Sequence, residues 1–300
     1  MLRQARAFFA DRAIIEVDCP QITAYASVDA HIDLIETIHP YGNRFLHSSP
    51  EYGMKRLLSE GIGDIYQLSH VFRQEECGVK HNPEFMMAEW YRTAITFDEM
   101  IAETAEFCQL FLGNVPIERL TYREAFLKYA KIDPFKTHCE GLLSYLMQQK
   151  TPIYTEAAVE GKDALLNLIL GLHIEPHLGT TGITVLSHYP SSQAALAKTT
   201  KDGDDSVALR FEVYHKGIEL ANGYCELLDR DEQEWRLLES NNERLKMGKN
   251  RLPIDKHFLA ALANGMPECC GVAVGFDRLL MLHLKAQSIA DVIPFAWSIA

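Results

Sequence analysis

Two hydrophobic periods organise this chain. Residues 2–11 carry apolar side chains at Leu2, Ala5, Phe8 and Phe9, the spacing of a helix with one buried stripe. Residues 14–17 read as a strand, closed by Pro20. Ser48 and Glu51 have capping-box spacing and Pro50 suits a first turn, so a helix is predicted from there to a stop at Gly61. Two apolar runs follow, 65–72 and 85–91, separated by a polar loop that holds Lys80 and His81. That pattern is strand, loop, strand, with cations at the strand mouth. Thr121 and Glu124 repeat the capping-box spacing, and the stretch from about 114 to 182 reads as helical segments inserted as a cover. Strands resume at 207–214 and 218–227, joined through His215, Lys216 and Gly217 as a hairpin. Residues 232–247 are polar around Trp235, Leu237 and Leu238, a surface helix with Gly248 as its stop. The expected fold class is α+β: an antiparallel sheet flanked by helices, in a single domain over residues 1–300 with a helical insertion at about 114–182.

Composition narrows the class. Three hundred residues with 47% hydrophobic content can bury a substantial core. No stretch of 18 apolar residues exists, and the N-terminus lacks a basic region followed by a long apolar run. Neither a membrane-spanning helix nor a signal peptide is expected, and the expected location is cytoplasmic. The seven cysteines are scattered and form no Cys-x-x-Cys pair, which reads as reduced thiols rather than disulfides or zinc ligands. A net charge of −12 disfavours a broad nucleic-acid surface and favours a basic protein partner.

The densest chemistry lies between residues 72 and 92. Arg73, Glu75, His81 and Phe85 on one hairpin suit a nucleotide: cation for phosphate, carboxylate for an exocyclic amine, ring for stacking. Taken singly, Arg73 is a surface partner of Glu75 or Glu76 and Phe85 is a core ring. Only the joint pattern points to a site. Glu89 stands inside the apolar run 85–91, where a carboxylate is costly unless it meets a cation. Glu219 and Glu226 lie seven apart, on opposite faces of a straight strand, unless a bulge or twist at Gly223 brings them together. Read alone, they are two solvent-facing glutamates.

The 72–92 hairpin closely resembles motif 2 of the class II aminoacyl-tRNA synthetases, the lysyl group above all. Residues 3–20 resemble motif 1, a long helix, a strand and a terminal Pro20. Residues 271–280 resemble motif 3, a Gly-rich strand running into a helix that starts near Arg278, and residues 217–227 supply a fourth matching segment. The class I signatures, His-Ile-Gly-His and Lys-Met-Ser-Lys-Ser, are absent. The order of the pieces leaves no room for an N-terminal anticodon-binding fold. In this the chain is similar to the stand-alone family of elongation factor P lysine ligases, as are residues 49–58, 190–197 and 210–223. The resemblance covers essentially the whole chain.

The resemblance carries definite implications. Members of that family activate (R)-β-lysine with ATP and Mg²⁺ and transfer it to the ε-amino group of a lysine on elongation factor P. It implies no tRNA substrate, no membrane, and a homodimer paired through motif 1. Arg73 would hold the α-phosphate as the catalytic cation. Gln74, Glu75, His81, Phe85, Glu219, Leu220, Gly275 and Arg278 would complete the ATP site, with Glu75 on the adenine amino group and Phe85 and Arg278 on opposite ring faces. Glu219 and Glu226 would hold Mg²⁺. Ser49, Pro50, Glu51, Glu89, Tyr91, Asn222, Tyr224, Glu226 and Ala273 would line an acidic amino-acid pocket. The chain departs from the lysyl pattern at Ala273, where motif 3 usually has a glycine, and at Gln74, Met86, Ala88 and Tyr224. Two other readings stay open: an enzyme adenylating α-lysine for another acceptor, and a non-catalytic regulatory paralogue. The presence of Arg73, Glu219, Glu226 and Arg278 speaks against the latter.

Overall fold

The computed structural model describes residues 1–25, 27–151 and 161–300. They form two compact units, residues 1–113 with 225–300, and residues 114–224. The first unit opens with α1 (Leu2–Ala10) and β1 (Ile15–Glu16). Three short strands, β2 (Ile22–Thr23), β3 (Glu36–Thr37) and β4 (Arg44–Leu46), then pair in the order β2-β4-β3. Next come α2 (Glu51–Ser59), β5 (Ile65–Phe72), β6 (Glu84–Thr93) and α3 (Phe97–Leu112). The second unit contains β7 (Ile117–Thr121), α4 (Tyr122–Ala125), α5 (Cys139–Gln148), α6 (Lys162–Ile169), β8 (Ile183–Pro190), β9 (Thr199–Asp202), β10 (Asp205–His215) and β11 (Ile218–Cys225). The chain returns to the first unit with α7 (Arg230–Lys246), α8 (Lys256–Ala263), β12 (Cys269–Gly275) and α9 (Phe276–His283).

Both units are α+β and mostly antiparallel. In the first, the order is β1-β5-β6-β12, with only β1 and β5 parallel. In the second it is β11-β10-β8-β7, with β9 also on β10 and only β7 and β8 parallel. The predicted hairpins form. Phe72 pairs with Glu84 across the 65–93 hairpin. The β10–β11 turn is Lys216-Gly217, both at positive φ (52° and 66°), the geometry of a tight two-residue hairpin. Thr121 and Glu124 do form a capping box, at the start of α4.

Three expectations are corrected. Ser48 and Glu51 do not cap α2. Pro50 occupies the N-cap position, and the Glu51 N–H donates to Ser49 Oγ at 3.0 Å, which frees the Glu51 carboxylate for another use. The 114–182 stretch is not wholly helical, because β7 pairs with β8 from within it. Residues 152–160 of that stretch lie outside the described residues. The irregularity in β11 falls at Leu220, not Gly223. Ala221 faces Val213 and Glu219 faces Tyr214, so Leu220 is the extra residue, while Gly223 sits in register opposite Phe211.

Aromatic packing fixes the first unit. Phe9 of α1 stacks on Tyr66 of β5 at 4.1 Å and meets Phe107 of α3 and Trp90 of β6 at 5.3 Å each. Each such ring contributes about 2–3 kcal/mol by burial, and together they hold α1 and α3 on one face of β5 and β6. The other face carries the site. Among the described residues no helix is long and apolar enough to cross a membrane, and all seven cysteines are free thiols.

Candidate active site

The site face of the first unit is set by strand parity. On β6, Phe85, Met87, Glu89 and Tyr91 point the same way. Across the ladders Glu89 is paired with Gln67 and Ala273, and Tyr91 with Ile65 and Gly271. The row widths leave no freedom at Gly271. A Cβ built there would lie 2.3 Å from the Tyr91 ring and 2.5 Å from Glu226 Oε1. Ala273 stands directly opposite Glu89 in the ladder.

One end of this face gathers cations around an aromatic ring. The Arg73 guanidinium lies 5.2 Å from the Phe85 ring centroid and donates to Glu76 at 2.9 Å. Its partner is therefore Glu76, not Glu75. Arg73 Nε is buried and has no hydrogen-bond partner among the described residues. Arg278, in the first turn of α9 after Gly275, sits with Nη2 2.6 Å from His81 Nε2. Burial, then the Arg278 charge, lowers the His81 pKa, so the imidazole is neutral and accepts from the guanidinium. Asp277 does not pair with Arg278. Its Oδ2 accepts the Met86 N–H at 2.8 Å and ties α9 to the hairpin. Gln74 and Glu75 are exposed at the start of the hairpin loop.

The middle of the face is a buried acidic cluster. Glu89 is 2% exposed, and its two oxygens accept from Ser49 Oγ at 2.7 Å and Tyr91 Oη at 2.8 Å. Burial, and then the Glu51 charge, pushes the Glu89 carboxyl up to about 7, against the pull of those two hydrogen bonds. Glu226 is equally buried, and burial pushes it up to about 8 although Lys55 works the other way. Lys55, fully buried, bridges Glu51 Oε1 and Glu226 Oε2 at 2.6 Å each. Burial would discharge that ammonium, but Glu226 and Glu51 outweigh it and hold its pKa above the ordinary lysine range. No donor reaches Glu226 Oε1 among the described residues. Pro50 is buried at the helix start beside Ser49.

Lys55 is the residue that sequence reasoning missed. A signal existed: it follows Glu51 by four and falls on the same helix face as Tyr52 and Leu58. A lysine on an apolar stripe needs a buried carboxylate, and Glu226 supplies it beside the partly buried Glu51.

The remaining candidates lie on β11 in the second unit. The bulge at Leu220 changes strand parity, so Glu219 shares a face with Asn222 and Tyr224 and with Arg210, Glu212 and Tyr214 of β10. Arg210 donates from Nε to Asn222 Oδ1 at 3.2 Å and from Nη1 to Gln193 O at 2.9 Å, and pairs with Glu212. Asn222 Nδ2 then donates to Tyr224 Oη at 2.8 Å. Arg210 thus fixes which end of the Asn222 amide faces Tyr224. Leu220 is buried, and Glu219 is partly exposed. Among the described residues no group of three or more His, Cys, Asp or Glu is arranged to hold a metal ion by itself.

Residues 1–298 match the family model described as tRNA synthetases class II (D, K and N). Proteins named elongation factor P--(R)-beta-lysine ligase from Salmonella typhi, Salmonella gallinarum and Salmonella dublin are each 42% identical to this chain over 301 residues. Those matches cover 98% of this chain and 92% of each relative. The order of the motifs, the paired sheet ladders and these matches agree, and the chain belongs to the class II tRNA synthetase family, in its D, K and N group.

Proposed function

We propose that this enzyme is a ligase that activates a lysine, (R)-β-lysine by preference, with ATP and transfers it to a lysine side chain of elongation factor P. The observation that carries the reading is the charge count at this site: Glu51 and Glu226 share the buried ammonium of Lys55, and Glu89 is buried beside them with the hydroxyls of Ser49 and Tyr91 on its oxygens. Such a pocket is short of positive charge, and an amine-bearing substrate supplies it. Four residues along β6, about 13 Å at strand rise, stands Phe85 with Arg73 over it. That spacing lets an amino acid lie at Glu89 and a nucleotide at Phe85, with carboxylate and α-phosphate meeting between them.

In the first step a carboxylate oxygen of the amino acid attacks the α-phosphorus and pyrophosphate leaves. Arg73 neutralises the charge that grows on the α-phosphate oxygens, its Nε having no partner among the described residues. Phe85 and Arg278 flank the base, Glu75 accepts from its amino group, and neutral His81 orients Arg278. The backbone at Gln74, Leu220 and Gly275 lines the nucleotide. In the second step the acceptor amine, having lost its proton, attacks the acyl carbon, AMP leaves and an amide forms. One or two protein carboxylates would suffice to hold Mg²⁺, which would supply charge neutralisation at the phosphates. Glu219, on the polar face of β11, suits that role. Glu226, with Lys55 already on Oε2, suits a substrate ammonium better. Asn222 and Tyr224, oriented by Arg210, would contact the amino acid. The elongation factor and the β-isomer come from the names of the relatives, and pairing through the motif 1 segment would give a homodimer.

Mass spectrometry of purified elongation factor P, incubated with this protein, ATP and each lysine isomer in turn, tests the whole reading. The expected product gains one lysyl mass on a single lysine, fastest with (R)-β-lysine. Unmodified factor with every isomer, alongside charging of tRNA, would replace it.

A further inference from the structure

One buried cation stands behind the site rather than in it. Arg244, in the last turn of α7, is 4% exposed. Its guanidinium donates from Nε to Asn250 O at 2.9 Å, from Nη1 to Asp29 O at 2.9 Å and Ile32 O at 3.0 Å, and from Nη2 to Asp33 Oδ1 at 3.0 Å. Lys249 adds contacts to Asp33 Oδ2 at 2.8 Å and Ala30 O at 3.4 Å. Asp29 closes the turn from within by accepting the N–H groups of His31 and Ile32. Residues 29–33 have no ladder of their own, so these side chains do the work that a sheet would otherwise do.

What that segment holds is the motif 2 backbone. The Asp33 carbonyl accepts the Gln74 N–H at 2.9 Å, and the preceding N–H, of Arg73, donates to Pro83 O at 2.9 Å. The chain is therefore gripped from both sides at the point where Arg73 leaves β5. Beyond it the loop is tied at its far side, by Ile289 N–H to Val79 O and Trp297 N–H to Asn82 Oδ1. Among the described residues Asp33 alone takes up the Gln74 N–H, and a side chain as long as arginine amplifies small backbone rotations at its base.

We propose that Arg244 is a positioning residue for the nucleotide half of the reaction: through Asp33 and the Gln74 backbone it sets where the Arg73 guanidinium stands. The proposal rests on the reading of Arg73 as the α-phosphate cation. A cation on α7 thereby acts on the chemistry without touching substrate. Fixing an aligned charge is worth most when the two reactants are both anions.

The test compares the parent enzyme with Arg244→Met, Arg244→Lys, Asp33→Asn and Arg73→Ala in ATP–pyrophosphate exchange, with hydrogen exchange of the Gln74 amide measured in parallel. Arg244→Met is expected to lower kcat/KM for ATP by about 10- to 100-fold, the scale of a 1 Å misplacement, while KM for lysine stays within about twofold. The Gln74 amide should exchange faster in the same variant. Arg244→Lys and Asp33→Asn should shift both readouts the same way by less, and they decide the matter if Arg244→Met does not fold. A lower Tm with unchanged ATP kinetics and unchanged Gln74 exchange would overturn the proposal, as would equal losses for ATP and lysine. Near-parental exchange in Arg73→Ala would instead remove the nucleotide-site reading on which the proposal stands.

Discussion

Replacing Glu89 with glutamine should make the ligand-free protein more stable at pH 8 and worse at using lysine. The Glu89 carboxyl faces Ser49, Tyr91, Glu51 and Lys55, and its pKa is pushed from 4.5 to about 7, first by burial. That difference corresponds to about 3 kcal/mol, at about 1.4 kcal/mol per pH unit. The sign follows from proton linkage. A carboxyl whose folded pKa lies above its unfolded one favours the folded state while protonated, and that favour is lost as pH rises from about 4.5 to about 7. The parent should therefore lose stability relative to Glu89→Gln by about 2.5 kcal/mol between pH 5 and pH 8. Glutamine keeps the shape and accepts one of the two hydroxyl hydrogens, from Tyr91 or Ser49. Its amide hydrogens need a new acceptor, which offsets part of the gain, about 1 kcal/mol. Urea unfolding of both proteins at half-unit pH steps measures the gap. Substrate use should move the other way, with kcat/KM for lysine down about 100-fold once the charge that meets the ammonium is gone. A gap that stays flat with pH would refute the assignment of the proton to Glu89. A gap that grows as pH falls would refute the burial argument itself.

Two further outcomes are expected. Ala273→Gly should shift the kcat/KM ratio of (R)-β-lysine to α-lysine toward α-lysine, because Ala273 stands opposite Glu89 in the ladder and small displacements of a reacting group carry large rate effects; an unchanged ratio moves the discrimination to Tyr224 or the 190–197 segment. Sedimentation at micromolar concentration should show a two-fold dimer, since closed C₂ pairing is the commonest assembly and Leu2 of α1 and Ile15 of β1 are exposed apolar side chains; a monomer at every concentration would remove motif 1 as an interface.

How far the sequence could be read depended on how local each cause was. The 65–93 hairpin was legible because alternation and a polar loop are local signals, and so were the Thr121 box and the Lys216-Gly217 turn. Strands β2 to β4 were not, since two or three residues show no period. β7 was lost inside a helical stretch because three of its five residues are exposed and carry no alternation. The bulge at Leu220 was misplaced to Gly223 for a physical reason. Glycine permits an irregularity, but pairing with β10 decides where it falls, and Phe211 fills the space opposite Gly223. Within the site, the aromatic, the arginines and the strand glutamate stood out by type. Lys55 did not, since a Glu-Lys pair four apart looks like an exposed helix pair, and only its complete burial reveals the difference.

Burial also explains why the proposed amine pocket already contains a cation. Burial raises the pKa of both Glu89 and Glu226, and without a cation nearby they would present hydroxyls to an incoming ammonium. Lys55 stands 2.6 Å from Glu51 Oε1 and from Glu226 Oε2 before any substrate arrives, and pulls the Glu226 pKa down against its burial. It leaves Glu226 Oε1 and Glu89 as the groups whose charge is still uncommitted. Those two stand on the side of the sheet face that carries Ala273 and Gly271, where a substrate amine one carbon further along its chain would have to be accommodated. A neutral side chain at position 55 would add space and remove a competitor for the substrate's place. It would also remove the charge that pulls the Glu226 pKa down, and with it part of the attraction that the proposed pocket offers an amine. In the proposed pocket the buried lysine thus sets the charge that remains, and that remaining charge would select an amine.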